Sequence, residues 1–192
     1  MDKPFILILE GSVGSGKSTL SKLIRENMPY TMLLDLSAIK DKSEETGKDK
    51  MHKYHSKILQ MFEDTIGCDM SYVCSRSFLS ELCYTELGFK EYSFKENANE
   101  LMSTVEYLTK HYNIFFVLLT VDEGQLENRL RRDKFEYVKH NVKNAIIQQN
   151  MYKNIFRHYA NLNTDIKFFE VENGDLNATV NTIKNIIEGY LG

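Results

Sequence analysis

The chain has 192 residues, of which 42% are hydrophobic and 27% are charged, and these values are typical of a globular protein. This length fits a single domain that buries a sizeable hydrophobic core. Twenty-four basic and 27 acidic residues give a formal net charge of -3, which excludes a global electrostatic attraction to nucleic acid or to an anionic membrane.

The start of the chain and its cysteines bear on the cellular compartment. Residues 1 to 4 lack the basic start and the long apolar stretch of a secretory signal, and no apolar run approaches the roughly 18 residues of a membrane span. The three cysteines form no C-x-x-C pair, and their odd number suits reduced thiols: Cys68, Cys74 and Cys83. We therefore expect a cytoplasmic protein whose cysteines are small buried hydrophobic residues.

The first motif is a glycine-rich loop between a strand and a helix. The apolar run Phe5 to Leu9 predicts a strand, and Leu20, Leu23 and Ile24 at helical spacing predict a helix. Between them, residues 11 to 18 read G-S-V-G-S-G-K-S, which is the phosphate-binding loop G-x-x-x-x-G-K-S in the setting that it requires. An ordinary glycine-rich turn is the alternative, and the complete motif disfavours it. We expect this loop to bind a nucleoside triphosphate.

Each residue type in the loop suits a phosphate ligand. Glycines let consecutive N–H groups turn towards a phosphate, and the following helix presents its positive end to the same group. Lys17 is expected to reach the β- and γ-phosphates, and the Ser18 hydroxyl to ligate Mg²⁺. The predicted nucleotide-binding residues here are Gly11, Ser12, Val13, Gly14, Ser15, Gly16, Lys17, Ser18 and Thr19.

The rest of the chain alternates between strands and helices. Apolar periodicity predicts strands at 30 to 36, 71 to 75, 114 to 121 and 166 to 171, and helices at 18 to 28, 51 to 66, 78 to 87, 98 to 108, around 126 to 130, 137 to 159 and 176 to 191. This alternation predicts an α/β fold with right-handed crossovers and a parallel sheet covered on both faces. Ligands bind such sheets at the carboxyl ends of the strands, so the residues after each strand are candidate site residues.

Charged residues follow several of these strands. Arg76 comes directly after the third strand, where it can grip an acceptor phosphate or hydroxyl, or alternatively cap the next helix. Arg129, Arg131 and Arg132 follow the fourth strand and are predicted to form a mobile lid, around 127 to 137, that neutralises transition-state charge. For any single arginine of this cluster, a solvated helix face is an equal alternative.

Two carboxylates lie near the expected reaction centre. Asp35 ends the second strand and Glu10 ends the first, so either is a candidate to hold Mg²⁺ or to act as base for an acceptor hydroxyl. For Asp35, a loop or cap carboxylate is an equal alternative. The aromatic residues Tyr84, Phe89, Tyr92 and Phe94 are interpreted as core or rim, and stacking on a base stays open. His52 and His55 are interpreted as solvated.

Three segments of the chain resemble motifs of a known enzyme family. Glu10-Gly-Ser-Val-Gly-Ser-Gly-Lys-Ser-Thr19 resembles the opening of the thymidylate kinase and deoxynucleoside kinase branch of P-loop kinases. Ser75-Arg76-Ser77-Phe78-Leu79-Ser80 is similar to the second signature of that branch, Asp-Arg-Tyr-x-x-Ser or Glu-Arg-Ser. Arg129-Leu-Arg-Arg-Asp133 is similar to its arginine-bearing lid.

The resemblance implies a three-layer fold, one domain over residues 1 to 192, with a five-stranded parallel sheet in the order 2-3-1-4-5. It implies that Arg76 contacts the phosphate or 5′ oxygen of the acceptor, that the lid arginines hold the donor phosphates, and that Asn173 to Leu176 lie near the adenine. Two departures stand out. Ser75 replaces the acidic residue of both signatures, and the second strand ends in Leu34-Asp-Leu-Ser37 without the arginine or the Glu-Pro pattern of those families.

These patterns together predict a kinase that uses ATP and Mg²⁺ to phosphorylate a deoxynucleoside monophosphate, with Lys17, Arg76, Asp35, Arg129 and Arg132 as catalytic residues. Ser18 and Glu10 are the predicted metal-binding residues, and Arg131 and Asn173 join the nucleotide-binding set. A deoxynucleoside acceptor, a hydroxyl of a modified base in DNA, and a nucleotide-binding module of weak activity stay open. The predicted partner is a small nucleotide or nucleoside, without membrane or expected nucleic acid, and a homodimer is compatible with the family.

Overall fold

The computed structural model describes residues 3 to 28, 30 to 36, 43, 46 to 132, 142 to 162 and 165 to 191, without the side chain of Arg132. The strands are β1 (Phe5–Glu10), β2 (Thr31–Asp35), β3 (Ser71–Ser75), β4 (Asn113–Thr120) and β5 (Lys167–Glu172). The helices are α1 (Lys17–Asn27), α2 (Gly47–Asp64), α3 (Phe78–Glu86), α4 (Lys95–Leu108), α5 (Glu123–Arg132), α6 (Val142–Ala160) and α7 (Leu176–Leu191).

The five strands form one parallel sheet in the order β2-β3-β1-β4-β5, which confirms the predicted fold class and strand order. β1 and β4 are central, and nearly all of their residues are buried. A parallel strand covered on both faces has no solvated side, so its sequence is a continuous apolar run rather than an alternating one. This is why the run in β4 is such a clear strand signal.

Alternate residues of the central strands face two separate hydrophobic cores. Leu7 and Leu9 of β1 pack with the buried faces of α1 and α7 on one side of the sheet. Ile6 and Ile8 pack on the other side in a larger core built from α2, α3, α4 and α6. Each fully buried side chain of this kind contributes about 1.5–3 kcal/mol of transfer free energy. The two cores fix the relative positions of the strand ends.

Most predicted elements are found within a few residues of their expected bounds, and β3 has the predicted bounds. α2 begins at Gly47, four residues before the predicted start, because the polar first turn carries no apolar periodicity. The prediction for the cysteines is partly wrong: Cys74 and Cys83 are buried, but Cys68 is exposed. No helix within the described ranges is long and apolar enough to cross a membrane.

Candidate active site

The glycines of the phosphate-binding loop allow close approaches that a side chain would block. Gly11 has φ 150°, and a Cβ there would lie 2.7 Å from the carbonyl oxygen of Leu119. Gly16 has φ 88°, and a Cβ there would lie 2.6 Å from Nδ2 of Asn173. Both conformations and both contacts require glycine. The loop is therefore pressed against the carboxyl ends of β4 and β5.

Lys17 is folded back into the loop. Its Nζ donates to the carbonyl oxygens of Gly11 at 2.6 Å and Ser12 at 2.8 Å, and to Oγ of Ser15 at 3.2 Å. Burial, followed by the positive charge of Arg76, lowers the pKa of Lys17 to about 7. A phosphate in the loop would supply the negative charge that this buried ammonium lacks.

The first turn of α1 is open to a ligand. Ser18 and Thr19 are exposed, and the turn carries no acidic residue, so the positive end of the helix faces the loop unopposed. Ser18 is therefore accessible to an ion, and its role as a Mg²⁺ ligand stays a prediction. Mg²⁺ takes one or two protein oxygens together with substrate phosphates and water, so this donor set fits the ion.

Asn173, at the end of β5, joins the loop to two other elements. Its Nδ2 donates to the carbonyl oxygen of Ser15 at 2.8 Å, and its Oδ1 accepts from the hydroxyl of Thr179 in α7. Its own carbonyl oxygen accepts from Nη2 of Arg129. The side chain is 2% exposed. Asn173 therefore fixes the loop, through Ser15, to the end of β5. Its contact with the nucleotide stays a prediction.

Helix α5 rests on the loop through apolar side chains. A Cβ on Gly14, where φ is 79°, would lie 3.0 Å from Cδ1 of Leu126 and from Cδ2 of Leu130. This packing brings Nη1 of Arg129 to 3.8 Å from the position that a Cβ on Gly16 would occupy. The guanidinium thus lies beside the phosphate-binding loop, and its role in a lid stays a prediction.

The other two lid arginines differ from Arg129. Arg131 is exposed, and its guanidinium forms an ion pair with Glu127 one turn earlier in α5, so the structure does not bring it to the loop. The side chain of Arg132 lies outside the described part of the structure, as do residues 133 to 137 of the predicted lid. Of the two described side chains in this cluster, Arg129 contacts the loop region and Arg131 does not.

Glu10 is fully buried and organises the turn after β3. Its Oε1 accepts from the backbone N–H and the hydroxyl of Ser77 at 2.7 and 2.6 Å, and its Oε2 accepts from the hydroxyl of Ser80 at 2.7 Å. Tyr152 of α6 donates in turn to Ser80 at 2.9 Å. Burial raises the pKa of Glu10, and the two serine hydrogen bonds oppose the rise. Both carboxylate oxygens are engaged, and the metal-binding role of Glu10 stays a prediction.

This network positions Arg76. The residue has φ 81°, a left-handed conformation that costs an L-residue about 1–2 kcal/mol. Its N–H donates to the carbonyl oxygen of Leu9 at 2.9 Å, and its Nη1 donates to the hydroxyl of Tyr84 at 3.2 Å. Ser77 caps α3 by accepting from the N–H of Leu79. The guanidinium of Arg76 therefore lies along α3, beside Tyr84. It does not cap the N-terminus of α3, because Ser77 is the cap residue there.

Asp35 and Ser75 lie side by side at the carboxyl edge of the sheet, where they are paired in the β2–β3 register. Asp35 is exposed, so its carboxylate is accessible to a metal or an acceptor. Ser75 is fully buried, and its Oγ has no hydrogen-bond partner within the described part of the chain. No group of three or more histidine, cysteine or acidic side chains capable of holding a metal occurs among the described residues.

A narrow cleft lies between α2 and α3. We call it the Arg76 cleft, and its lining residues are Leu36, Met51, His55, Arg76, Ser77, Ser80 and Glu81. The interpretation of His55 as solvated is wrong, because the residue is 5% exposed. Its position four residues after Met51 and four before Leu59, both buried, was the available signal. Tyr92 and Phe94 are buried in the core behind the cleft.

No protein-family model and no curated protein sequence matches the chain. Solved structures with the same fold include the YorR protein of Bacillus subtilis in complex with phosphorylated GDP, at a TM-score of 0.68 and 18% identity over 95% of each chain. Thymidylate kinase from Candida albicans has a TM-score of 0.66 and 14% identity, and the match covers 98% of this chain and 93% of the kinase chain. Deoxyadenosine kinase from M. mycoides with the products dCMP and dCDP has a TM-score of 0.63 and 15% identity, and the match covers 96% of this chain and 100% of the kinase chain. The chain therefore shares the fold of these three proteins.

Proposed function

We propose that the protein is a phosphotransferase that moves the γ-phosphoryl group of ATP to a deoxynucleoside monophosphate. The observation that carries this proposal is the convergence of three cationic groups at one edge of the sheet: Lys17 in the loop, Arg129 beside Gly16, and Arg76 after β3. Phosphoryl transfer needs mainly positioning and charge neutralisation, and these groups supply both.

In this proposal the loop N–H groups and the α1 N-terminus hold the donor phosphates. Lys17 exchanges its hydrogen bonds to Gly11 and Ser12 for the β- and γ-phosphates, and Arg129 approaches them from α5. Mg²⁺, held by Ser18 with Asp35 or Glu10 as the nearest carboxylates, would neutralise phosphate charge when bound. Arg76 holds the acceptor from the opposite side, in line with the transferred group.

A monophosphate acceptor is supported by the residue at position 75. The oxygen of a phosphate is already anionic near neutral pH, so it attacks without a general base, whereas a hydroxyl needs one. Ser75 offers a hydroxyl where both family signatures carry a carboxylate, and Glu10 is committed to the serines of α3. Among the neighbours, thymidylate kinase carries a nucleotide acceptor in its name, whereas deoxyadenosine kinase is named for a nucleoside and so favours the second candidate below.

A deoxynucleoside acceptor is the second candidate, and Asp35 favours it. This exposed carboxylate lies beside Ser75 at the carboxyl edge, where it is able to take the proton of a 5′ hydroxyl. A polymer acceptor lacks comparable support. A polymer would need a basic groove leading to Arg76, and Lys90 is unsuited to one because it is buried in an ion pair with Glu81.

The test is transfer of labelled γ-phosphate from ATP, with Mg²⁺, to a panel of deoxynucleosides, deoxynucleoside monophosphates and duplex DNA carrying hydroxylated bases. The proposal expects one or more monophosphates to become diphosphates. Labelling of nucleosides alone transfers the assignment to the second candidate and makes Asp35→Asn the next variant. ATP binding without label on any acceptor contradicts the phosphotransferase proposal and indicates a nucleotide-binding module.

A further inference from the structure

Gln148 of α6 contacts the phosphate-binding loop through its side chain. Its Oε1 accepts from the backbone N–H of Val13 at 3.3 Å, although the two residues are 135 positions apart in the chain. The side chain of Val13 packs against a third, small apolar cluster, whose buried members are Val121, Leu126, Leu130 and Ala145. Both the backbone and the side chain of Val13 are therefore held by elements outside the loop.

The peptide unit between Ser12 and Val13 has hydrogen bonds at both ends. A trans peptide is planar, and its C=O and N–H groups point in opposite directions. The N–H of Val13 donates to Gln148. The carbonyl oxygen of Ser12 accepts from Nζ of Lys17 at 2.8 Å and from the N–H of Ser15 at 3.2 Å. The acceptor on α6 and the donors in the loop therefore fix this peptide in one orientation.

Helix α6 is itself anchored, so Gln148 is carried by a fixed support. The amide of Gln149 makes two hydrogen bonds with the backbone of Val121, directly after β4: Oε1 accepts from the N–H at 2.9 Å, and Nε2 donates to the carbonyl oxygen at 3.1 Å. The hydroxyl of Tyr152 donates to Oγ of Ser80 in α3 at 2.9 Å. A side chain on a rigid element positions its partner more precisely than one on a mobile element.

We propose that Gln148 is a positioning residue of the phosphate-binding loop: its bond to Val13 directs the Ser12 carbonyl oxygen towards the ammonium of Lys17. The inference rests on the proposed function only in treating this loop as the ATP site. Without the acceptor on α6, the Ser12–Val13 peptide is able to rotate. Molecules with a rotated peptide do not hold Lys17 in place, and the apparent affinity for ATP falls with the fraction that remains competent to bind.

The competing explanation is that Gln148 only fastens α6 to the rest of the protein. Gln149 is the matched comparison, because it is the same residue type at the next position and its described hydrogen bonds do not reach the loop. A fastening role predicts that loss of the two bonds of Gln149 does more harm to every property than loss of the one described bond of Gln148. A positioning role predicts opposite orders for stability and for ATP binding.

The test measures ATP affinity by calorimetry, with saturating Mg²⁺, for the intact protein and for Gln148→Met and Gln149→Met. Methionine is unbranched like glutamine but accepts hydrogen bonds only weakly. Gln148→Met should weaken ATP binding by roughly fivefold to tenfold, with little change in thermal stability. Gln149→Met should lower thermal stability more and weaken ATP binding by less than about twofold. Gln148→Ala, which cannot overpack, should repeat the result of Gln148→Met.

The pH dependence of ATP binding separates positioning from a general loss of structure. Burial lowers the pKa of Lys17 to about 7, and the Ser12 carbonyl oxygen favours the charged form because it accepts from the ammonium. If this carbonyl turns away, the pKa of Lys17 falls further. The loss of ATP affinity with rising pH should therefore begin at a lower pH in Gln148→Met, whereas Gln149→Met should follow the intact protein. The other titratable groups around Lys17 are the same in all three proteins: Glu10, Asp35, Arg76 and Cys83.

ATP binding that is unchanged or tighter in both Gln148 variants overturns the inference. Equal weakening in Gln148→Met and Gln149→Met also overturns it, as does a pH profile of Gln148→Met that coincides with that of the intact protein. If ATP binds with the expected order among the variants but no acceptor is phosphorylated, the proposed function fails and the role of Gln148 stands. If the intact protein does not bind ATP, both fail.

Discussion

Nδ2 of Asn173 donates to the carbonyl oxygen of Ser15 at 2.8 Å, although the two residues are 158 positions apart in the chain. The contact fixes the phosphate-binding loop against the end of β5. Because the backbone carbonyl oxygen of Asn173 also accepts from Arg129, one residue contacts both the loop and helix α5. The contacts of Asn173 therefore hold the loop in its conformation before a ligand binds.

Asn173→Ala should raise the KM for ATP by about tenfold and lower stability by about 1–2 kcal/mol, because it removes a buried hydrogen bond and leaves the Ser15 carbonyl unpaired. Steady-state kinetics and urea unfolding measure the two effects. Asn181→Ala, at an exposed position of α7, is the matched control and should change neither. An unchanged KM in Asn173→Ala would show that the loop holds its shape without this contact.

Gly14→Ala should displace α5 from the loop. The new methyl group would lie 3.0 Å from side-chain carbons of Leu126 and Leu130, so these side chains have to shift, and we expect α5 to move outward with Arg129. We expect kcat to fall by at least about tenfold, since one transition-state cation is misplaced. Gly88→Ala is the control, because Gly88 also has a positive φ, 69°, but has open space around it. Equal kinetic effects in both variants would mean that strain, not lid displacement, is responsible.

Arg76→Gly should separate stability from activity. Glycine adopts the φ of 81° without strain, which adds about 1 kcal/mol to the free energy of unfolding. Removal of the guanidinium eliminates the proposed hydrogen bonds to the acceptor. The expected result is a protein of equal or higher thermal stability with turnover reduced by about a hundredfold or more. A variant that keeps its turnover would remove Arg76 from the proposed mechanism.

The pKa of Lys17 predicts a pH dependence of stability. The folded pKa is about 7 and the unfolded value is 10.5, so the unfolded chain binds more protons between these values. By linkage, stability therefore rises as the pH increases from about 7 towards 10, and the destabilisation is fully present below 7. Urea unfolding at pH 7 and pH 9 should show a gain in the intact protein that Lys17→Met lacks. A parallel pH response in the two proteins would contradict the buried, destabilised ammonium.

The fold and the phosphate-binding loop could be predicted from the sequence because their signals are local. The loop is a contiguous motif with special backbone demands, and the apolar run of β4 has no solvated face to interrupt it. The position of Arg76 at the carboxyl edge of the sheet could also be predicted, because the residue comes directly after a strand; its role in binding an acceptor stays a prediction.

The rest of the site depends on long-range contacts that a sequence does not display. Nothing adjacent to Glu10 indicates that Ser77 and Ser80 occupy both of its oxygens. The three lid arginines look equivalent along the chain, yet only the packing of α5 on Gly14 distinguishes Arg129 from Arg131. The homodimer that the family resemblance allows also stays a prediction.

The most direct test of the central claim compares the intact protein with Lys17→Ala in the transfer of labelled γ-phosphate from ATP to its best acceptor, with thermal unfolding measured alongside. The account predicts that Lys17→Ala folds and unfolds cooperatively, while its turnover falls by about a thousandfold or more, because a cation that stabilises the transferred phosphoryl group is lost. Undiminished turnover in the folded variant would contradict the assignment of this loop as the site of phosphoryl transfer.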